Sequence, residues 1–269
     1  MGYREGNFLS ITPLSKTKYM TVAVKGRVAT VSFNRPKSMN AFTLDMFVEF
    51  HQLLKELRVT KSIHIIIFKG NGNAFSSGAD IKSMSPDLDL ETMMDLVSEI
   101  AVALYTLPKV TIAAIHGAAA GGGLSLALAT DYTIAQTDSK IAMNFNGIGL
   151  IPDVGAHYFL LKKLGEAKAK QVIWNASVLS ASEAFDIGMI DELADDLQGA
   201  VERQVEKWLA SPIQPLIQSK QIFTEVNCEE LIHILKLEKN GQIKMRQTSD
   251  HLEGIQAFIE KRKPIFKGE

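Results

Sequence analysis

The sequence has a single cysteine among its 269 residues, Cys228. One thiol can form neither an intrachain disulfide nor a cysteine-based metal cluster, so we expect a reducing compartment and no metal. Lysine and arginine number 29 against 30 for aspartate and glutamate, which gives a formal net charge of −1. This balance disfavours a nucleic-acid partner held by bulk electrostatics, although it leaves room for a local basic patch.

Long apolar runs are also missing. No stretch reaches the roughly 20 consecutive apolar residues of a membrane-spanning helix, and residues 1–20 hold basic side chains but no secretory apolar core. Hydrophobic residues make up 46% of the chain and charged residues 22%, which is typical of a soluble globular protein. We therefore predict a cytoplasmic protein with no membrane partner and a loose N-terminal extension over residues 1–20.

What the sequence does have is a glycine-rich bend between two apolar segments. Residues 110–115 are short, apolar and rich in β-branched side chains, which predicts a buried strand, and residues 124–129 predict a buried helix. The glycines between them, Gly117 and residues 121–123, expose backbone N–H groups at the helix start, where a negatively charged oxygen binds well. Glycines used only for packing would give the same pattern, so both interpretations stay open at this point.

A second apolar strand, residues 63–68, leads into another loop of small residues with exposed amides, residues 69–81. Because it contains both loops, the chain resembles the crotonase superfamily, which includes the enoyl-CoA hydratases and isomerases. The matching segments occur in the family's order and spacing, at residues 34–41, 75–81, 113–123, 149–153 and 258–263. Nucleotide phosphate is disfavoured as a ligand, because the first loop has neither the GxGxxG spacing nor a P-loop lysine.

The remaining segments alternate between strand and helix patterns, as in an α/β fold. In the first half of the chain we predict a hairpin over residues 22–33 that turns near Gly26, a helix capped by Thr43, and a helix capped by Asp89 and stopped by Pro108. In the second half we predict strands at residues 132–135 and 140–143, a helix at residues 154–164, and a helix that begins with a capping box at Ser180 and Glu183. The C-terminal part is predicted to be helical, with breaks at Pro212 and Pro215.

The resemblance implies how these elements assemble. It implies a crotonase (ClpP-like) α/β spiral of repeated strand-strand-helix units over residues 21–200, followed by a helical C-terminal oligomerisation region over residues 201–269. Family members form trimers that often pair into hexamers. We therefore expect a homotrimer or a hexamer.

The resemblance also implies a chemistry. Family members bind acyl-CoA thioesters and form an enolate whose oxygen is met by two backbone N–H groups, which by position are those of Ala79 and Gly122. One such preorganised donor is worth about 3–4 kcal/mol in other enzymes. No separate cofactor is expected, since coenzyme A is part of the substrate. Further residues that the resemblance places against the acyl-CoA are Ala41, Gly78, Asp80, Ile81, Lys82, Gly121, Ser125, Phe145, Phe258 and Lys261.

The proton carrier is the open question. Hydratases of the family carry two glutamates, and here Ser125 and Phe145 stand in their places. A hydroxyl can hold a water but cannot replace a carboxylate base. The remaining acid is Asp153, at the position where Δ3,Δ2-enoyl-CoA isomerases keep their single base. Its alternative role is to cap a helix beginning near Val154. As a base it needs a raised pKa, because an unperturbed aspartate titrates near ~3.9.

These residues predict an enzyme that shifts the double bond of a 3-enoyl-CoA to the 2-position. Two alternatives are also enzymes, an enoyl-CoA hydratase with atypical residues and an acyl-CoA thioester hydrolase. A non-catalytic acyl-CoA-binding protein fits the missing glutamates equally well. Asp80 is expected to organise its loop, and Arg35 and Lys37 either contact CoA phosphates or lie in a solvated loop.

Overall fold

The computed structural model describes residues 17–81 and 89–269. The strands of this part are β1 (Met20–Lys25), β2 (Val28–Phe33), β3 (Ile65–Gly70), β4 (Val110–Ile115), β5 (Ala118–Ala120), β6 (Tyr132–Gln136), β7 (Lys140–Ala142), β8 (Val178–Ser180) and β9 (Glu192–Ala194). The α-helices are α1 (Leu44–Val59), α2 (Leu90–Tyr105), α3 (Gly122–Leu128), α4 (Ala156–Asn175), α5 (Ala181–Asp186), α6 (Leu197–Leu209), α7 (Ile213–Met245) and α8 (Ser249–Glu260).

Two sheets form the framework. The larger has the order β1-β2-β3-β4-β6-β9, antiparallel between β1 and β2 and parallel elsewhere. The smaller has the order β5-β7-β8. The predicted hairpin is present, and Gly26 lies in its turn with φ 59°. The parallel arrangement brings the C-terminal ends of β2, β3 and β4 to one edge of the sheet.

A repeated unit runs through the fold. Each of β2, β3, β4 and β6 is followed by a short extended segment in a second layer, and these segments pair in parallel with one another. The pairs are Phe42 with Ala79, Ser76 with Ala119, and β5 with β7. In the first three units a helix follows, α1, α2 and α3 in turn. This is the spiral of strand-strand-helix units, with the helical segment α6 to α8 after it.

The main sheet is buried on both faces. Along β3, Ile66 and Phe68 belong to one hydrophobic cluster, whereas Ile65 and Ile67 belong to another that includes residues of α6 and α7. Alternate side chains of a strand face opposite sides, so a strand covered on both sides must be apolar throughout. This explains the unbroken apolar run in the sequence.

The predicted helix starts are present. Thr43 caps α1 by accepting a hydrogen bond from Met46 N, Asp89 caps α2 by accepting one from Thr92 N, and both bonds of the capping box at α5 are formed. The apolar faces of α1 and α2 are buried, and Met93 and Met94 of α2 lie in the main core. Local side-chain chemistry therefore sets where these helices begin.

Several boundaries differ from the prediction, and three of the differences concern a proline, a glycine and a turn. Pro215 does not break a helix: it lies in the first turn of α7, where its missing N–H has no partner to lose. The helix predicted at residues 154–164 begins at Ala156 and continues to Asn175, with a non-helical backbone at Gly165. The strand predicted from residue 63 begins at Ile65, because the N–H of Ile63 closes a turn onto Thr60.

The long helix α7 returns across the molecule and packs against α2 and α4. An ion pair between Lys239 and Asp95, 2.6 Å long, joins it to α2. Helix α8 packs against the 3₁₀ turn Phe145–Ile148. The C-terminal helices thus cover the segment that carries Asp153. Within residues 17–81 and 89–269, no helix has the length and apolar character needed to cross a membrane.

Candidate active site

Asn40 ties together the loops that precede the site. Its side chain is buried and its backbone is left-handed, with φ 53°. Its Oδ1 accepts a hydrogen bond from Arg35 N at 2.9 Å, and its Nδ2 donates to the carbonyls of Asn71 and Ala74 at 2.9 and 2.7 Å. Asparagine adopts this backbone conformation more readily than most residues. The turn after β2 and the loop after β3 are thereby held in one arrangement.

The peptide of Ala79 lies between two hydrogen bonds to Phe42. The N–H of Phe42 donates to the carbonyl of Gly78 at 2.8 Å, and the N–H of Asp80 donates to the carbonyl of Phe42 at 2.9 Å. Successive peptide groups of an extended chain face opposite sides, so the N–H of Ala79 points away from Phe42. In the described ranges 17–81 and 89–269, no hydrogen bond is donated by this N–H.

The second donor stands at the start of α3. Gly121 has φ 52°, and its N–H donates to the carbonyl of Ala142 at 2.9 Å. Gly122 is the first residue of α3, so its N–H has no acceptor one turn earlier in the helix. The part of the chain that the structure describes holds no other acceptor for it. A helix start of this kind favours an oxygen that carries negative charge.

The two loops are in contact. A Cβ atom built on Gly78 would lie 3.2 Å from the amide nitrogen of Gly122 and 2.9 Å from the carbonyl oxygen of Ala120. Gly78 also has φ 90°, a backbone conformation that a residue with a Cβ rarely adopts. Glycine is therefore required where the loops meet. The N–H groups of Ala79 and Gly122, for which the described residues hold no acceptor, come from these two adjoining loops.

Asp153 borders the same place. A Cβ atom on Gly122 would lie 3.6 Å from its Oδ1. Asp153 is partly exposed, and Val154 and Gly155 after it have φ 58° and 78°. The predicted alternative, that its carboxylate caps the following helix, is wrong: Gly155 is the N-cap of α4 and no local side chain bonds there. The carboxylate faces the glycine loop instead.

The surroundings of Asp153 raise its pKa from 3.8 to about 7. Desolvation of the carboxylate is the largest cause, and the negative charge of Glu238 is the next; the charges of Arg246 and His157 act in the opposite direction. Both of the raising effects disfavour the ionised form. An acid that titrates near neutral pH can both accept and return a proton.

The two positions that hold glutamates in hydratases carry no acid here. Ser125 is fully buried, and its hydroxyl donates to the carbonyl of Gly121 at 3.3 Å. The ring of Phe145 lies over the glycine loop, 3.8 Å from the point where a Cβ atom of Gly121 would stand. Among the residues that the structure describes, Asp153 supplies the carboxylate within 4 Å of the point where a Cβ atom of Gly122 would stand.

Asp80 has a contact that organises its loop. Its Oδ2 lies 2.9 Å from Nη2 of Arg35, and both side chains are largely buried. Nη1 of Arg35 also donates to the carbonyl of Ala41. The guanidinium of Arg35 is thereby directed at protein groups, whereas Lys37 is exposed.

The other expected substrate contacts are spread over the surface of the site and beyond it. Ala41 is buried and Ile81 is partly exposed beside Asp80. Phe258 is exposed on α8, and Lys261 forms the left-handed C-cap of that helix. Lys82 lies outside the described residues. Contact of any of them with an acyl-CoA stays a prediction.

Helix α7 contributes two residues that the sequence analysis missed. The carboxylate of Glu238 is buried and accepts hydrogen bonds from Gly155 N, His157 N and His157 Nδ1 at 2.8, 3.0 and 2.8 Å. Nε2 of Gln242 donates to Ile151 O at 2.6 Å and to Asp153 Oδ2 at 3.4 Å. A sequence signal exists, because both occupy buried positions at helical spacing from the apolar residues before them.

A separate cavity of about 410 Å³ lies between α7, α6 and β4. Its wall includes Trp208, Leu216 and Phe223, together with the ion pair between Lys220 and Asp131, 2.8 Å long. It does not include the loops described above. Across the described ranges, no three His, Cys, Asp or Glu side chains are grouped to bind a metal ion.

Known proteins share both the sequence and this architecture. The model of the enoyl-CoA hydratase/isomerase family matches residues 23–269. YhaR of Bacillus subtilis, named for enoyl-CoA hydratase/isomerase, is 43% identical over 93% of this chain and 99% of its own. The 1,2-epoxyphenylacetyl-CoA isomerase of Escherichia coli is 32% identical over 91% of this chain and 97% of its own.

A solved structure extends the comparison to the fold. The enoyl-CoA hydratase from Mycobacterium avium subsp. paratuberculosis superposes with a TM-score of 0.85 over 95% of this chain and 100% of its own, at 26% identity. The match of the family model over nearly the whole chain decides the assignment. This protein belongs to the enoyl-CoA hydratase/isomerase family of the crotonase superfamily.

Proposed function

We propose that this enzyme converts a 3-enoyl-CoA to a 2-enoyl-CoA, with Asp153 as its only acid–base group. The observation that carries the proposal is the approach of Asp153 to Gly122, since a Cβ atom on that glycine would lie 3.6 Å from Oδ1. The carboxylate of Asp153 and the N–H of Gly122, which has no acceptor in the described part of the chain, then border the same space. The relative named as 1,2-epoxyphenylacetyl-CoA isomerase supports an isomerase.

The proposed reaction moves one proton and one double bond. Asp153 takes a proton from C2, and the electron pair delocalises onto the thioester oxygen to give a dienolate, in which C1–C2 and C3–C4 are doubly bonded. The N–H groups of Ala79 and Gly122 stabilise that oxygen, each by roughly 3–4 kcal/mol in comparable enzymes. The protonated Asp153 then returns a proton to C4, which forms the double bond between C2 and C3 and restores the thioester carbonyl. Nothing is added to or lost from the substrate, so a single carboxylate is sufficient.

The residues at the two glutamate positions favour this reaction over hydration. Adding water across a double bond requires a group that activates the water, and neither the buried Ser125 nor the apolar Phe145 can serve as a base. The pKa of Asp153, raised to about 7, suits a group that alternates between acid and base during one turnover.

Three substrates, which are 3-hexenoyl-CoA, crotonyl-CoA and a saturated acyl-CoA, and an Asp153→Asn variant test the proposal. We expect the wild-type enzyme to isomerise 3-hexenoyl-CoA and the variant to be slower by roughly 10²- to 10⁴-fold. Asp138→Asn, which makes the same change at an exposed turn, is the matched control and should keep wild-type activity. A variant at Asp153 as fast as wild type would refute the role of this residue.

The products distinguish the alternatives. Formation of a 3-hydroxyacyl-CoA from crotonyl-CoA, without isomerisation of 3-hexenoyl-CoA, would assign a hydratase. Release of free CoA from a saturated acyl-CoA would assign a thioester hydrolase. Tight binding of all three thioesters with no turnover would assign an acyl-CoA-binding protein.

A further inference from the structure

At the start of α4, the carboxylate that caps the helix and the carboxylate that faces the glycine loop belong to two different residues. A helix start usually receives its hydrogen bonds from a side chain immediately before it. Here the local candidate, Asp153, faces the glycine loop, and Glu238 from α7 accepts hydrogen bonds from the N–H groups of Gly155 and His157 at 2.8 and 3.0 Å. A residue more than 80 positions away in the sequence thus supplies the cap.

Helix α7 holds both sides of the short segment that carries the acid. Glu238 bonds the residues after Asp153, and Gln242, one helical turn further along α7, bonds the carbonyl of Ile151 before it at 2.6 Å. Gln242 is fully buried, and its Nε2 also lies 3.4 Å from Oδ2 of Asp153. The segment contains Val154 with φ 58°, a left-handed conformation that costs a β-branched residue energy and needs support from its surroundings.

We propose that Glu238 and Gln242 of α7 are positioning residues for Asp153. Glu238 caps α4 in place of Asp153. Together the two side chains hold the Asp153 carboxylate at the glycine loop, in a state that can take up and release a proton. This inference rests on the proposed role of Asp153. It adds that the C-terminal helix α7 is part of the catalytic apparatus, although it supplies no group to the reacting atoms.

The charges around Asp153 give the two residues opposite effects. Glu238 is a buried negative charge that opposes ionisation of Asp153, and its hydrogen-bond partners are neutral peptides and the ring of His157. The amide of Gln242 offers a donor to the ionised carboxylate. The other charged groups that act on Asp153 are Arg246, at the end of α7, and His157 on α4; both favour its ionised form, as does a backbone hydrogen bond.

Two nearly isosteric changes test the inference through the pH dependence of kcat/KM for 3-hexenoyl-CoA. Glu238→Gln removes the negative charge and keeps the shape, so the midpoint should fall by roughly one pH unit. Gln242→Met removes the donor and fills a similar volume, so the midpoint should rise. Glu225→Gln, the same change at an exposed position of α7, should leave the midpoint where wild type has it.

A direct measurement separates this inference from the proposed reaction. Titration of the Asp153 carboxyl carbon by ¹³C NMR reports its protonation whether or not the enzyme turns over. If Asp153→Asn remains fully active, the proposed role of Asp153 as the base is wrong, and the NMR midpoints still decide the effect of α7. The positioning role is wrong if Asp153→Asn is inactive and either of two further results is found. One is that Glu238→Gln does not lower the midpoint of the Asp153 titration, and the other is that Gln242→Met lowers that midpoint. Circular dichroism checks that each variant is folded, and either variant alone can refute the inference.

Discussion

Oδ1 of Asp153 lies 3.6 Å from the point where a Cβ atom of Gly122 would stand. The carboxylate that follows Pro152 and the first peptide of α3 therefore border one small space. The N–H of Gly122 and the acid approach this space from segments that are 31 positions apart in the sequence. Loops on separate units of the spiral meet there because the parallel sheet brings the ends of its strands to one edge.

The rate should depend on pH through Asp153. In the proposed reaction Asp153 must be ionised to take a proton from C2, and the pKa of Asp153 is raised to about 7. We therefore expect kcat/KM for 3-hexenoyl-CoA to rise about tenfold per pH unit below the midpoint and to level off above it. Measurement of initial rates between pH 5 and pH 9 checks this. A midpoint close to the ordinary aspartate value, near ~4, would show that the carboxylate is not desolvated.

The same raised pKa makes a prediction for stability. The folded protein binds the Asp153 proton more tightly than the unfolded chain does, because the pKa of Asp153 is higher in the folded state. The free energy of unfolding therefore falls as pH rises from about 4 to about 7 and Asp153 ionises. Asp153→Asn removes that cost and should raise the free energy of unfolding at pH 8 by up to about 4 kcal/mol.

Urea denaturation of the two proteins measures the difference. Since the cost builds up with pH, the gain in the Asp153→Asn variant should be smaller by about half at pH 5.5. Asp138→Asn, at an exposed turn, should change stability at neither pH. A variant at Asp153 that is no more stable than wild type at pH 8 would contradict the desolvation of this carboxylate.

The fold could be predicted where the signal is local. Thr43, Asp89 and Ser180 begin helices because their side chains bond N–H groups two or three residues later. Pro215 misled the prediction, because a proline within the first turn of a helix and a proline that ends one have the same sequence pattern. Periodicity alone did not predict the second-layer pairing of residues such as Phe42 and Ala79, which are far apart in the sequence. That pairing was available only through resemblance to a family.

The site could be predicted only in part. Glycines mark the two loops in the sequence, and the positive φ values at Gly78, Gly117 and Gly121 explain why glycine stands at those positions. The contribution of α7 left a weaker signal. Glu238 and Gln242 continue the buried stripe of Leu231 and Leu235, and a polar residue in such a stripe indicates a buried partner without identifying it. The partner is set by how α7 packs on α4, which the sequence of α7 does not encode locally.

Gly78 should tolerate no side chain without loss of activity. In Gly78→Ala the new methyl would lie 3.2 Å from Gly122 N and 2.9 Å from Ala120 O, at φ 90°. We expect kcat/KM to fall by roughly 10²- to 10³-fold, the typical effect of losing one oxyanion donor. Steady-state kinetics with 3-hexenoyl-CoA measures this.

Gly26→Ala is the matched control for backbone strain. Gly26 has φ 59° in the β1–β2 turn, and a Cβ atom there would meet nothing within 4 Å. This variant should lose about 1–2 kcal/mol of stability, because alanine is strained in the left-handed region, and keep wild-type activity. If the two glycine variants lose activity to the same extent, the contact between the loops does not matter for catalysis.

The ion pair between Arg35 and Asp80 should stabilise the loop that carries Ala79. The two side chains are 20% and 15% exposed and 2.9 Å apart, so the pair is largely shielded from water. A double-mutant cycle with Arg35→Met and Asp80→Asn should give a coupling energy of about 1–3 kcal/mol. The more exposed pair of Lys162 and Glu230, at 42% and 44%, should give less than about 1 kcal/mol in the same experiment.

Breaking the ion pair between Arg35 and Asp80 should also lower the activity of the enzyme. Asp80 directly follows Ala79 in the chain, and its N–H donates to the carbonyl of Phe42, so a loosened loop would displace the Ala79 N–H from its place beside the glycine loop. Asp80→Asn should therefore lower kcat for 3-hexenoyl-CoA by roughly tenfold while changing KM little, since a displaced donor weakens the transition state more than the bound substrate. If Asp80→Asn instead raises KM alone, Asp80 contributes to substrate binding and the loop does not depend on Arg35 for its geometry.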